Sequence, residues 1–180
     1  MTLTPVDWSI MSSDYSPSPS PEPGDIFLEA FRRHAAGISV ITLRQADGSP
    51  TGFTATSVAS LAADPPMATF NMATTSSSWS AVEATDHLLI HILGTKNLSL
   101  AKKFADIKEA RFLGITVQDG PEGLPLLPGA SGYLVGKIID RVVHHDAATV
   151  IVEIVGGGLG EPDTGLTYHG RDYASALAVS

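Results

Sequence analysis

Hydroxyl side chains crowd two short stretches of this sequence, and both have the composition to hold a polar ligand. In Gly52-Phe53-Thr54-Ala55-Thr56-Ser57-Val58-Ala59-Ser60-Leu61, four hydroxyls fall within seven positions beside small Ala55 and Ala59. Small residues let backbone amides approach a flat ligand with polar edges, and the hydroxyls add partners for those edges. The same residues suit a hydroxyl-rich strand edge, and residue chemistry leaves both readings open. The second stretch, Thr74-Thr75-Ser76-Ser77-Ser78, precedes the helical segment Trp79-Ser80-Ala81-Val82-Glu83-Ala84. Hydroxyls there cap a helix, and the same geometry binds an anion. A cap needs one hydroxyl and five are present.

Other chemistries have weaker claims. The sequence has no cysteine, so disulfides, thiolate catalysis and cysteine-bound zinc are excluded. His87 and His91 have a helical metal-ligand spacing, but His87-Leu88-Leu89-Ile90-His91-Ile92-Leu93 reads as a strand. On a strand the two rings stand about 13 Å apart, too far for one ion, and no metal site is expected. Gly156-Gly157-Gly158 follows a strand, but neither a helix nor a Lys-Ser/Thr pair comes after it, so it is not a phosphate loop. His34 shares a helical stripe with Phe27, Ala30 and Phe31 and reads as a packed boundary residue.

The elements that position these residues follow from composition and periodicity. At 180 residues, 43% apolar and 17% charged, the chain suits one domain with a sizeable core. Its net charge of −8 argues against nucleic acid and anionic membrane as partners. A phosphate-bearing cofactor stays open, because backbone amides bind phosphate without a basic field. No segment reads as a membrane span or signal peptide, so the cytoplasm is the expected compartment.

Prolines at 17, 19, 21 and 23 predict a tail over residues 1–23 and a domain over 24–180. A helix follows, with Asp25 as N-cap and Gly37 as its end. Strands are expected at Ser39–Leu43, through Gly52 to the break at Asp64-Pro65-Pro66, at Met67–Met72 and at His87–Leu93. An amphipathic helix spans Asn97–Asp106, with Leu98, Leu100, Ala101, Phe104 and Ala105 inward and Lys102 and Lys103 near its solvent edge. Ser131–Val143 and Thr149–Val155 form a long hairpin turning at His144-His145-Asp146. Six or seven strands with two or three short helices predict a mainly β fold, an antiparallel barrel with peripheral helices.

In order along the chain, these motifs resemble the flavin-reductase-like family, short-chain NAD(P)H:flavin oxidoreductases built on an FMN-binding split barrel. The resemblance runs from about Phe31 to Tyr173. It rests on Ala36-Gly37-Ile38-Ser39-Val40-Ile41-Thr42, on Gly52-x-Thr54-Ala55-Thr56-Ser57-Val58-x-Ser60-Leu61 with Asp64-Pro65-Pro66, and on Ser76-x-Ser78. Leu89–Leu93, Ala101-Lys102-Lys103-Phe104-Ala105, Arg111-Phe112 and Leu166-x-Tyr168-His169-Gly170-Arg171-x-Tyr173 complete the series.

The resemblance implies a homodimer with one FMN or FAD per subunit near the dimer interface. It also implies a hydride from NADH or NADPH, and delivery of reduced flavin to a separate monooxygenase. Thr54, Ala55, Thr56, Ser57 and Val58 would line the flavin ring, largely through backbone groups. Asn71, Ser76 and Ser78 would serve the ribityl phosphate with Lys103 and Phe104 nearby, and His169, the catalytic candidate, would border the nicotinamide with Arg171. Two departures stand out: Ala147 and Ala148 occupy the family's Asp-His, and His91 replaces its usual Asn. They motivate a second reading, a flavin-binding carrier or sensor that oxidises NAD(P)H poorly.

Overall fold

The structure, a computed structural model, describes residues 22–177. Twelve strands and three α-helices follow one another in chain order. They are α1 (Pro23–Arg33), β1 (Ala36–Gly37), β2 (Ser39–Arg44), β3 (Pro50–Ala55), β4 (Ala59–Ala63), β5 (Pro66–Ala73), α2 (Trp79–Ala84) and β6 (His87–Ile92). After these come α3 (Leu98–Phe104), β7 (Gln118–Asp119), β8 (Pro125–Leu126), β9 (Gly132–His144), β10 (Ala147–Leu159), β11 (Leu166–His169) and β12 (Asp172–Ser175). The proline-spaced tail lies, up to residue 21, outside the described residues.

Seven strands form one antiparallel sheet in the order β3-β2-β6-β9-β10-β5-β4. Register shifts at Ile151/Val152 and Ile154/Gly156 bend the long hairpin, as extra residues in one strand do. The sheet curls until Phe53 of β3 and Phe70 of β5 lie 6.1 Å apart, ring centre to ring centre. Both belong to an interior core with Ile41, Leu43, Leu88, Ile90, Val150 and Val152. β3 and β4 do not pair with each other, and this gap makes the barrel a split one. The single strand expected from Gly52 to Leu61 is therefore two, separated at Thr56–Val58.

A second core covers the outer face of β2, where Val40 meets Leu93, Ala101, Phe104, Leu127 and Leu166. β2 is thus buried on both faces. Asp163 latches the closing segment down: its carboxylate accepts from the Lys96 and Thr164 N–H groups and the Thr95 hydroxyl. Those bonds hold its pKa below the usual carboxylate value, the Lys96 N–H first among them.

The first helix differs from expectation. It starts at Pro23 rather than after an Asp25 cap, because proline's fixed φ suits the first turn. It stops at Arg33 rather than Gly37, since Ala36-Gly37 pairs with β11. No side chain of α1 is buried. Phe27 and Phe31 stack 4.6 Å apart yet stay about 60% exposed, and His34 is exposed rather than packed. At α3, Ala105 lies past the last turn and is exposed rather than inward.

His91 stands fully buried where β6 passes β2. Its Nδ1–H donates to the Val40 carbonyl at 3.1 Å, and its Nε2 accepts from the Leu127 N–H at 3.1 Å. That pairing requires the neutral ring. Burial pulls the pKa down to about 4 from 6.5, against a smaller upward pull from the Val40 bond. Between those values the unfolded chain holds more protons, so stability falls as pH drops from 6.5 toward 4 and is whole above that window. Urea unfolding at about pH 7 and about pH 4.5 is expected to show about 2 kcal/mol more loss in the wild type than in His91→Gln. Parallel losses in the two proteins would contradict this account.

Candidate functional site

The two hydroxyl-rich stretches meet where the barrel fails to close. β3 pairs only with β2, so its other edge carries unpaired backbone groups. At Gly52 that edge is capped: the carbonyl accepts from Arg111 Nη1 at 2.9 Å. The alternation of an antiparallel ladder turns Thr54's backbone groups to the same edge. Beyond Ala55 the chain leaves the ladder. Ser57 then ties the gap to β5, its Oγ accepting from the Asn71 N–H at 2.9 Å and donating to the Asn71 carbonyl at 3.0 Å. Thr149 on β10 donates to Asn71 Oδ1 at 2.8 Å.

The second stretch is not the simple cap that its composition suggests. No side chain caps α2. Ser76 Oγ instead accepts from the Ser78 N–H at 3.4 Å. Ser78 is fully buried, and its Oγ accepts from Arg111 Nη1 at 3.3 Å. Arg111 Nε donates to the Asp106 carbonyl at 2.8 Å. The guanidinium therefore spans both stretches, and burial lowers its pKa, opposed by Glu109 and then Asp106.

α3 closes the outer side. Thr54 Oγ1 donates to the Ala101 carbonyl at 2.9 Å, which sets the helix directly on β3. Lys103 is half-buried and Lys102 exposed, with Lys102 Nζ 5.6 Å above the Tyr173 ring. Phe104, expected near the cofactor, is fully buried and packs edge-on against Phe112. It is a core residue beneath β3, because Gly52 leaves room for its ring. A Cβ at Gly52 would lie 2.6 Å from the Ile41 carbonyl oxygen and 3.0 Å from Phe104 Cε1. His169 ends β11, exposed. Arg171 sits in the following turn at φ 69°, and the adjacent Gly170 N–H donates to the Arg32 carbonyl of α1 at 2.9 Å.

A family model described as flavin reductase like domain matches residues 31–177. The chain belongs to this family. A flavin reductase domain protein from Arthrobacter sp. FB24 has a similar solved structure, with 46% identity, a TM-score of 0.84, and coverage of 87% of this chain and 98% of that one. An NADH:FMN oxidoreductase from Rhodococcus qingshengii is 37% identical over 130 residues, 72% of this chain and 67% of its own. HsaB, the reductase subunit of a flavin-dependent monooxygenase from Rhodococcus jostii, is 30% identical over 108 residues, 60% of this chain and 55% of its own.

Within this member of the family, the structure joins Ser57 to Asn71 and Ser76 to Ser78. It leaves His169 and Arg171 exposed on a separate three-stranded sheet. Of the two alanines that depart from the family pattern, Ala148 faces the core and Ala147 is exposed. Two residues given no role in the sequence reading, Arg111 and Thr149, hold the site together. Thr149 could be found only from strand register. Arg111 left one hint: no carboxylate lies three or four residues away to pair with it on a helical turn. Gly52→Ala is expected to cost about 1–3 kcal/mol by forcing β3 and Phe104 apart, read as a lower urea midpoint with unchanged m-value.

Proposed function

We propose that this protein is an NAD(P)H-dependent flavin reductase, acting through residues 24–180, that reduces FMN or FAD and supplies it to a separate monooxygenase. The observation that carries this reading is the uncapped edge of β3 at Thr54, ending in the hydroxyl-lined gap at Thr56–Val58. A flavin ring presents alternating donors and acceptors along one edge, and a free strand edge presents the complement. The relatives named as an NADH:FMN oxidoreductase and a monooxygenase reductase subunit support it.

When bound, flavin itself supplies the hydride acceptor, so the protein needs to align two rings and exclude water. Thr54 to Val58 would hold the ring by backbone groups, with Ala55's side chain turned into the core. Asn71, Ser76 and Ser78 would serve the ribityl phosphate beside Lys103. His169, with Arg171 near it, would orient the nicotinamide. Phe104 would act from beneath, as a support for β3.

Homodimerisation completes the proposal. α1 carries Ile26, Phe27, Leu28 and Phe31, all more than half exposed, and the hairpin leaves Val142, Val143 and Val155 uncovered as well. Apolar surface of this extent favours burial against a second copy. No described helix is long and apolar enough to cross a membrane, and the cytoplasm, where the nicotinamide nucleotide pool lies, is the compartment proposed.

Anaerobic mixing with FMN and NADH, then NADPH, is expected to bleach many equivalents of flavin absorbance near about 450 nm. His169→Ala should slow the bleaching more than it weakens flavin binding. A protein that binds FMN but bleaches none with either donor would instead support the carrier reading. Sedimentation of the wild type is expected to give a dimer, and Phe27→Ser with Phe31→Ser a monomer; a wild-type monomer refutes the assembly.

A further inference from the structure

Residues 124–129 lie over the outer face of β2 and β6, where Leu127 shares a core with Val40 and Leu93, and Leu124 another with Leu89 and Val135. Side chains of the barrel hold them there. Thr42 Oγ1 donates to the Pro125 carbonyl at 2.6 Å, and Asn97 Nδ2 donates to the Gly129 carbonyl at 2.7 Å. Between these two, the Leu127 N–H donates to His91 Nε2 at 3.1 Å. The short β7–β8 pair joins no other sheet. Among the described residues, no backbone-to-backbone bond reaches Leu127, Pro128 or Gly129. The segment is a strap fastened by side chains at every second residue.

One of the three fastenings depends on a proton. A backbone N–H can only donate, so the Leu127 bond requires a bare His91 Nε2 while Nδ1–H serves the Val40 carbonyl. Protonation would set N–H against N–H inside the core, where a charge is costly. Thr42 and Asn97 stay neutral throughout. Burial sets the behaviour of the ring, the Val40 bond opposes it, and no charged group contributes. Tyr133 is its titratable neighbour across β9. Further along the same two strands, His87 is half-buried and its register partner Lys137 is exposed. On β2, Arg44 donates to Asp119 and to the Gly123 carbonyl. Glu122, just before the strap, is exposed, and residues 124–130 carry no charge.

The strap also has room to move. Pro128 and Gly129 are exposed, and a recess of about 270 Å³ lies beside them between Leu127, Tyr133 and Leu159. We propose that residues 124–129 form a pH-sensitive strap: a proton on His91 breaks its hold on Leu127, and the strap lifts while the barrel stays folded. Lifting gives both the ring and the Leu127 N–H access to water. The lifted state takes up its proton near 6.5 and the closed state near about 4, so lifting grows as pH falls through that window and is least above it. This is a local opening, distinct from the loss of overall stability, and it does not depend on the flavin-reductase reading.

The test is hydrogen exchange of the full chain, read at single amides by NMR at about pH 7.5 and about pH 5.5. Chemical exchange rates are divided out, and urea is added in steps below the unfolding midpoint. The Leu127 amide should exchange faster than the ladder amides of β2 and β6 and respond little to urea, as local openings do. The β2 and β6 amides should follow urea steeply, as global unfolding requires. Opening at Leu127 should grow about tenfold between the two pH values. In His91→Asn, which cannot take the proton, the change should be less than about twofold. If that variant does not fold, the wild type still decides. A Leu127 amide with the rate and urea dependence of β2 and β6 would make the strap part of one cooperative unit and overturn the inference. Fast exchange at Leu127 that ignores pH, or that responds to pH equally in His91→Asn, would overturn it too.

Discussion

A strand edge left without a partner exposes backbone donors and acceptors that need satisfying, and the organisation of this protein follows from one such edge. The curl of the sheet brings Phe53 against Phe70 but never pairs β3 with β4. Full closure would have removed the edge. Here side chains manage it piece by piece: Arg111 caps Gly52, Ser57 hands the chain to Asn71, and Thr54 spends its hydroxyl on α3. Each buried polar group left unpaired would cost about 1–3 kcal/mol. That both ends of the gap are secured while its middle stays available argues for a ligand in the middle.

Such a gap serves binding only if its walls do not move. β2, next to the edge, is buried on both faces, so β3 is laid against a strand with no freedom to shift. The outer core then sets α3 on β3 through the Thr54–Ala101 bond and Phe104 beneath Gly52. His91 ties β6 to the Leu127 backbone on the same side. The family's usual asparagine is shorter than histidine, and the imidazole reaches two backbone groups on different segments with opposite nitrogens. The binding edge thus sits on packed strands and a docked helix, the kind of support that holds geometry to fractions of an ångström.

The sequence carried much of this, and what it withheld has a physical pattern. Short runs rich in apolar and β-branched residues, bounded by turn signals, located β2, β6 and the β9–β10 hairpin, and β2 and β6 are buried along almost their whole length. The motif order pointed to the split barrel. Nothing local marked the break at Thr56–Val58, since Thr, Ser and Val suit a continuing strand equally well. The Asn71–Thr149 bond joins residues 78 positions apart and exists only because β5 pairs with β10 in one register. α1 shows the converse limit. Its apolar stripe was plain at helical spacing, but amphipathicity says that a face must be covered and not which molecule covers it.

The acidity of the chain bears on how an anion can be bound here at all. A net charge of −8 sets a repulsive field at long range, but salt screens it within about 8 Å at physiological strength. An anion bound here must then be held by contacts shorter than that, of the kind that backbone amides and hydroxyl groups provide. Contacts of this kind are directional and are lost together when the ligand shifts, while the surrounding field does not hold the ligand back. A site with strong local recognition and no long-range attraction suits a nucleotide that must be bound, reduced and released in turn, more than one that is to be kept.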